Sequence, residues 1–231
     1  MVHIVEDDAS ARDATARFLR AAGYAVRTYS TATEMLEGLP SRPSGCVVLD
    51  LRLPGLNGLE AQRAMEQLEE PLPVVFLSGL SDIAESVQAM KAGAVDFLTK
   101  TADGSLLLEA VSRALAKDTE ARSRRQRLRE LRARHGRLSA REQQVLGHLI
   151  SGQLNKQVGF DLGITEQTTK IHRHRVLEKM EADSIADLVR MAADLGIEPV
   201  GRFHVALVPD PGQDYQPRAR DLGVQVVGDP L

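Results

Sequence analysis

Residues 1–116 repeat one pattern five times, a short β-rich run followed by a stretch of helical period, and that alternation leaves few folds open. The β-rich runs lie at Val2–Val5, Ala25–Tyr29, Val47–Leu49, Val74–Leu77 and Val95–Leu98. Helical spacing of apolar residues marks Ala11–Ala22, Thr33–Leu39, Leu59–Gln67, Ile83–Ala92 and Leu106–Leu115. Strands joined through helices are parallel, so the expectation is an α/β fold, a doubly wound parallel sheet with helices on both faces. Ligands of such sheets bind at the carboxyl ends of the strands.

Polar residues collect at those ends. The first strand stops at Glu6-Asp7-Asp8, the third at Asp50, the fourth at Ser78-Gly79 and the fifth at Lys100. An ionised carboxylate after "VVL" is costly unless water, a cation or a donor meets it. Carboxylates gathered at one edge repel each other until a cation joins them, and hard oxygen donors with room for water suit Mg²⁺. The same charge would neutralise an incoming phosphoryl group. An Asp carboxylate is a competent nucleophile for that transfer, and Lys100 and the Ser78 hydroxyl could then hold the new phosphate oxygens. Any one of these residues alone reads as an ordinary strand-end turn residue; four in register do not.

Charge divides the rest of the chain. Residues 1–116 carry ten Lys/Arg against sixteen Asp/Glu, 117–137 nine against three, 138–193 seven of each, and 194–231 three against six. An acidic first domain, a basic connector, a neutral second domain and a tail follow. No apolar run approaches the roughly 20 residues of a membrane span, and "MVHIVEDD" has no leader character, so a soluble, cytoplasmic protein is expected. The one cysteine, Cys46, beside a strand run, reads as a small buried hydrophobe.

From Ser105 to Arg134 nothing breaks a helix, so the last helix of the first domain could continue into the connector, although residues 118–127 hold only Ala121 as an apolar side chain and a coiled coil is not expected. The run "RSRRQRLRELRARHGR" reads either as a solvated face or as a contact to DNA phosphates. "LSARE" then puts Ser139 at an N-cap and Glu142 three residues on, a capping box, ahead of Val145, Leu146, Leu149 and Ile150; Gly152 ends this helix. A short helix over Asn155–Leu162 closes at Gly163, and another opens at Thr165 and runs to Met180, a helix-turn-helix. Along the latter helix, Thr169, His172, Val176 and Met180 should face inward, leaving Lys170, Ile171 and His174 on an outer face. Lys170 suits guanine or phosphate, Ile171 a thymine methyl, and Arg173 and Arg175 phosphates. His172 and His174 project about 200° apart around a helix, so "HRH" is not read as a zinc pair.

Quoted in order, "EDD", "VVLDLRLPGLNGLE", "VVFLSG" and "MKAGAVDFLTK" resemble a response-regulator receiver domain, and residues 138–193 resemble a LuxR-type DNA-binding domain. The chain as a whole resembles a two-component response regulator of the NarL/FixJ family. That resemblance implies a flavodoxin-like five-stranded receiver over 1–116, a helical linker over 117–137, a small all-α helix-turn-helix domain over 138–193, and a poorly ordered tail over 194–231. It implies Asp50 as phospho-acceptor, Glu6, Asp7, Asp50 and the Arg52 carbonyl as ligands of Mg²⁺ or Mn²⁺, Lys100 as phosphate partner, Ser78 as the hydroxyl that follows the phosphate, and Phe97 as the switch aromatic. For the second domain it implies DNA contacts from Asn155, Lys156, Thr168, Lys170, Ile171, Arg173, His174 and Arg175. The helix over Ser184–Ala193, with Ile185, Leu188, Val189 and Ala192, takes the place of the family's dimer contact. Implied partners are a sensor histidine kinase, double-stranded promoter DNA, RNA polymerase and, on phosphorylation, a second copy of the chain. Three departures are visible: Glu6 where Asp is commoner, Thr101 where a proline usually follows the lysine, and Thr169 for a usual valine, which should loosen the recognition helix slightly.

Two other classes fit these residues less well. An aspartate-nucleophile phosphatase needs a second carboxylate two residues after the nucleophile, and Arg52 stands there, so the chain is not read as an enzyme. A transcription factor that uses its receiver only for partner binding would not need the full set of acids, hydroxyl and lysine. For the tail, with five of the ten prolines and short apolar runs at Phe203–Val208 and Val224–Val227, disorder is favoured over a small hairpin. A DNA-binding domain of zero net charge gains little from counterion release, which makes pairing of two copies important.

Overall fold

The computed structural model describes residues 1–79 and 83–201 and divides into two compact units, Met1–Ala133 and from Arg134 onward. The first unit alternates β1 (Val2–Val5), α1 (Ala9–Ala21), β2 (Val26–Tyr29), α2 (Ala32–Gly38), β3 (Cys46–Leu49), α3 (Gly58–Glu66), β4 (Val74–Ser78), α4 (Ile83–Lys91), β5 (Asp96–Thr99) and α5 (Gly104–Gly136). All strand pairs are parallel, in the order β2-β1-β3-β4-β5.

Side-chain alternation along the strands builds two cores. Val5, Val47, Leu49, Val74 and Phe76 face α2, α3 and α4 through Met35, Ala61, Met65 and Ala89. Val2, Ile4, Cys46, Val48 and Val75 face α1 and α5 through Ala16, Leu19, Ala110 and Ala114. A strand buried on both faces reads as a continuous apolar run, which is why "CVVL" lacks polar residues. Burial also pushes the Cys46 thiol up to about 12, so it stays a neutral packing group.

Helix termini follow the local chemistry. Asp8 caps α1 by accepting from the Ala11 amide, and Asn57 and Glu60 close a capping box on α3. In "PGLNG" the turn falls on Gly55, whose φ of 76° is left-handed. Gly58 serves a different purpose, since a Cβ there would lie 2.5 Å from the Asp50 carbonyl oxygen and 2.8 Å from the Leu51 Cα.

The expected continuation of the last receiver helix into the connector is observed, from Gly104 to Gly136. α5 runs unbroken for 33 residues, and its extension is fastened to the first unit rather than free. Buried Asp118 accepts from the Gly45 amide at 2.8 Å. Buried Glu70, in the loop before β4, accepts from Arg129 Nη1 at 2.8 Å and has Arg125 Nε 3.9 Å away. Neither reading of the basic run, solvated face or DNA contact, covers these two arginines: a buried carboxylate claims them.

The second unit holds the end of α5, α6 (Ala140–Ile150), α7 (Asn155–Leu162), α8 (Glu166–Met180) and α9 (Ile185–Leu195). The Ser139/Glu142 capping box forms, and α7 closes at Gly163 in the left-handed region. Arg134 and Arg137, from the same basic run, bind the Glu181 carboxylate at 2.8 and 2.9 Å, and Arg137 donates to the Lys179 carbonyl at the end of α8. Cations at a helix C-terminus are favoured there. Thr169 is fully buried and its hydroxyl donates to the Thr165 carbonyl at 3.1 Å, so its polar group is hydrogen-bonded in the core.

Two expectations about the C-terminal region are corrected. Leu188 and Ala192 are buried in this unit's own core, where α9 packs on α6 and α8, so within the expected dimer set the exposed residue is Val189, with Ile185 half-buried. Residues 194–200 do not begin an unstructured tail. α9 continues to Leu195, Gly196 caps it, and the Val200 amide donates to the Gly147 carbonyl at 3.1 Å with its side chain over Gly147. The runs at Phe203–Val208 and Val224–Val227 lie outside the described residues.

Candidate functional site

Parallel pairing sets Val5 opposite Leu49 and Leu49 opposite Phe76, so the residues that follow β1, β3 and β4 emerge at one sheet edge. Oxygen atoms of Glu6, Asp7 and Asp50 come within 4.8 Å of one another there, and among the described residues this is the one group of three or more metal-capable side chains. Glu6 and Asp50 are buried and Asp7 is exposed. Lys100, carried in from β5, places its Nζ 2.6 Å from Glu6 Oε2 and 2.8 Å from Asp50 Oδ2. The other Asp50 oxygen accepts from the Arg52 amide at 3.2 Å.

Electrostatics follows from that packing. Burial raises the Glu6 pKa above the ordinary carboxylate range, and the charge of Asp50 adds to it against the opposing hydrogen bond from Lys100. Burial works against the charge on Lys100 too, but its bonds to Asp50 and Glu6 hold its pKa above the usual lysine value. One ammonium thus serves two buried carboxylates, with a third beside them. Hard oxygen donors at this spacing fit a divalent cation of the Mg²⁺ or Mn²⁺ kind, with exposed Asp7 on the solvent side.

Neighbouring residues shape the edge. Ser78 is fully buried at the end of β4, and its carbonyl accepts from the Lys100 amide at 2.9 Å. Thr101 lies within hydrogen-bond distance of Thr99 through their hydroxyls, 3.2 Å apart. Phe97, half-buried on edge strand β5, stacks on Phe76 at 5.8 Å between ring centres and lines a cleft of about 710 Å³ with Ile83, Val87 and Met90 of α4.

Two contributors were missed in the sequence. Arg12 donates through Nη1 to the backbone carbonyls of Glu6 at 2.7 Å and Asp7 at 3.2 Å, pinning the acidic loop; its signal was a basic residue one turn into the helix that follows the acids. Glu85 lines a cleft of about 520 Å³ with Asp7, Arg52 and Asn57, and nothing in its local sequence distinguishes it from a surface glutamate.

In the second unit, Lys156, Lys170, Ile171, His174 and Arg175 are exposed, and Thr169, Val176 and Met180 are buried behind them. Lys170 pairs with Glu166 at 3.1 Å. Asn155 accepts from Arg173 Nη1 at 3.4 Å, which brings two of the expected backbone-contacting residues together. Thr168 is half-buried and tied to the Thr165 cap, its amide donating to Thr165 Oγ1. His172 is half-buried, as its helical position required.

Comparison with known proteins agrees with this layout. Residues 2–112 match the response regulator receiver domain family, and 136–192 match the LuxR family of bacterial regulatory proteins. The chain is 40% identical over 195 residues to the response regulator protein TodT of Pseudomonas putida, covering 84% of this chain and 86% of that one. It is 37% identical over 198 residues to the transcriptional regulatory protein FixJ of Rhizobium meliloti, covering 86% and 97%. Among solved structures, that of the response regulator StyR superposes with a TM-score of 0.76 at 39% identity, covering 83% of this chain and 97% of that chain.

Proposed function

From the premise that the chain belongs to the NarL/FixJ family of transcriptional response regulators, a receiver joined to a LuxR-type DNA-binding domain, we propose that Asp50 is the phospho-acceptor and that its phosphorylation pairs two copies of the chain on promoter DNA. The observation that carries this reading is the set of Glu6, Asp7 and Asp50 held by Lys100 at one sheet edge.

The donor is the phosphohistidine of a sensor histidine kinase. An Asp50 carboxylate oxygen attacks phosphorus, the bond from phosphorus to imidazole nitrogen breaks, and the acyl phosphate forms on Asp50 while histidine leaves. A bound Mg²⁺ or Mn²⁺, held by Glu6, Asp7, Asp50 and the Arg52 carbonyl, supplies charge neutralisation for the phosphoryl oxygens. Lys100 moves from the free carboxylate to the new phosphate, whose charge exceeds that of the carboxylate it replaces. The Ser78 hydroxyl takes up a phosphate oxygen, and the side of β5 that carries Phe97 repacks against α4. No turnover of an external metabolite is involved, in keeping with a family of transcription regulators.

On the output side, the exposed face of α8 enters the major groove. Lys170 leaves Glu166 for guanine or phosphate, Ile171 meets a thymine methyl, Thr168 and His174 reach the groove, and Arg173, Arg175, Asn155 and Lys156 hold the backbone. With no net charge over residues 138–193, one copy binds weakly, and two copies on two half-sites multiply the affinity. RNA polymerase at that promoter is the downstream partner. The test is light scattering and DNA-binding titration of the full chain against a selected operator, with and without a small phosphodonor and Mg²⁺. The reading expects a dimer and at least tenfold tighter binding after phosphorylation; equal affinity and equal oligomeric state would refute it.

A further inference from the structure

Away from the phosphorylation edge, a pocket of about 490 Å³ opens between the loop that joins α2 to β3, the loop before β4 and the extension of α5. Neither the phosphoryl chemistry nor the contacts proposed for DNA use it. Arg42 comes from the first loop, Glu70 from the second, and Arg122, Ser123 and Arg129 from the helix. The helical part of the wall lies past residue 112, where the receiver match ends, so the site exists only with the extension docked.

Charge selects the guest. Three guanidinium groups face one carboxylate, and that carboxylate is already engaged, since buried Glu70 accepts from Arg129 Nη1 at 2.8 Å. Just outside the lining, Arg125 beside Glu70 and buried Asp118 behind Arg122 add one charge of each sign and leave the positive excess unchanged. The cations are open to a guest. Arg42 is exposed, and among the described residues no hydrogen bond or ion pair engages its side chain. The Arg122 side chain is 51% exposed, and its Asp118 partner lies 3.9 Å away, beyond hydrogen-bond reach. Two guanidinium forks with unused donors, from segments far apart in the chain, thus line one space. Such forks grip the oxygens of a phosphate or carboxylate two at a time.

The rest of the wall bounds the guest's body. The Thr119 hydroxyl donates to the Leu115 carbonyl at 2.9 Å, which leaves its oxygen free to accept, and the exposed Ser123 hydroxyl can donate or accept. No apolar side chain occurs among the described residues of the lining, so a hydroxylated body fits and an aliphatic one gains little by burial. The volume falls within the roughly 300–1,000 Å³ of small-molecule sites and exceeds what a bare phosphate fills. A phosphate monoester carries about −1.5 to −2 charge at neutral pH, which matches the excess on the wall. We propose that this pocket binds a sugar phosphate, the dianion held by Arg42 and Arg122 and the hydroxyl groups by Ser123 and Thr119. An occupant ties the α2–β3 loop to the helix extension, alongside the bond from the Gly45 amide to Asp118.

The test is a titration of the full chain with glucose 6-phosphate at neutral pH, followed through the Arg42 and Arg122 Nε–H signals in nuclear magnetic resonance spectra. Divalent cations are left out, so that the Asp50 edge takes no part. Glucose 6-sulfate, the same body with a single negative charge, and glucose are the matched probes. Saturable shifts with the phosphate, sulfate binding weaker by roughly fivefold or more, and no binding of glucose are expected. Arg42→Gln, which breaks no bond within the chain, should weaken the phosphate by at least about fivefold, and Arg63→Gln, an exposed arginine of α3 outside the pocket, should leave it unchanged. No saturation by about 10 mM, equal binding of the sulfate, or unchanged binding in Arg42→Gln would overturn the proposal. So would an equal loss in Arg63→Gln, which marks a diffuse charge effect, or signals that answer to duplex DNA and not to the sugar phosphate.

Discussion

At Gly58 the constraint on the acceptor loop comes down to one missing methyl group. Because the added Cβ would press on the backbone of Asp50 and Leu51, Gly58→Ala should shift the acceptor loop. A loss of about 1–3 kcal/mol is expected by urea denaturation, with slower phosphorylation. Glu142 offers a titration test. The Lys179 ammonium at 2.7 Å, then the Ser139 amide, hold its carboxyl down at about 2, against an ordinary 4.5. A depressed carboxylate pKa stabilises the fold above pH 4.5, and that contribution is lost as pH falls toward about 2. Unfolding midpoints measured from pH 5 to 2 should fall less steeply in Glu142→Gln than in the parent. Thr169→Val removes a hydroxyl bonded only to a carbonyl that already serves the Thr169 amide. Its effect on stability should stay within about 1 kcal/mol, read as a change in urea midpoint at constant slope.

Among the elements, the strands and helices of both units were legible because each is specified by its own residues: period two in the strands, period 3.6 in the helices, and in the second unit Ser139 with Glu142 at a cap and Gly163 at a C-terminus. The extension of α5 was legible as a helix and not as a docked one. Its anchors pair Asp118 with Gly45 and Arg129 with Glu70, 73 and 59 residues apart in the chain. No local pattern encodes such pairs, and a basic run looks the same whether water or a buried carboxylate holds it. Leu188 and Ala192 failed for a related reason: one apolar stripe on α9 serves either a dimer or the unit's own core, and only the packing decides. Glu70→Ala leaves two guanidinium groups without their carboxylate. Allowing for the partial exposure of both arginines, it should destabilise the first unit by about 1–3 kcal/mol. Amide exchange over residues 118–130 should quicken, and unchanged exchange would mean that the helix extension holds without this clasp.

For the whole molecule, four arginines of the basic run serve the chain's own carboxylates, Arg125 and Arg129 at Glu70 and Arg134 and Arg137 at Glu181. In the proposed reading, DNA affinity draws on the exposed face of α8 and on having two copies. If Arg175 holds a phosphate as proposed, Arg175→Ala should weaken binding to all sequences alike and lower the salt slope by about one. In the proposed reading Asp50 links this output to the input edge. The direct measurement is the intact mass of the full chain after incubation with Mg²⁺ and a small phosphodonor, alongside an Asp50→Asn variant. One added phosphoryl group on the parent, absent from the variant and absent from the parent when the cation is chelated, is the predicted result. No gain in the parent, or an equal gain in Asp50→Asn, would contradict it.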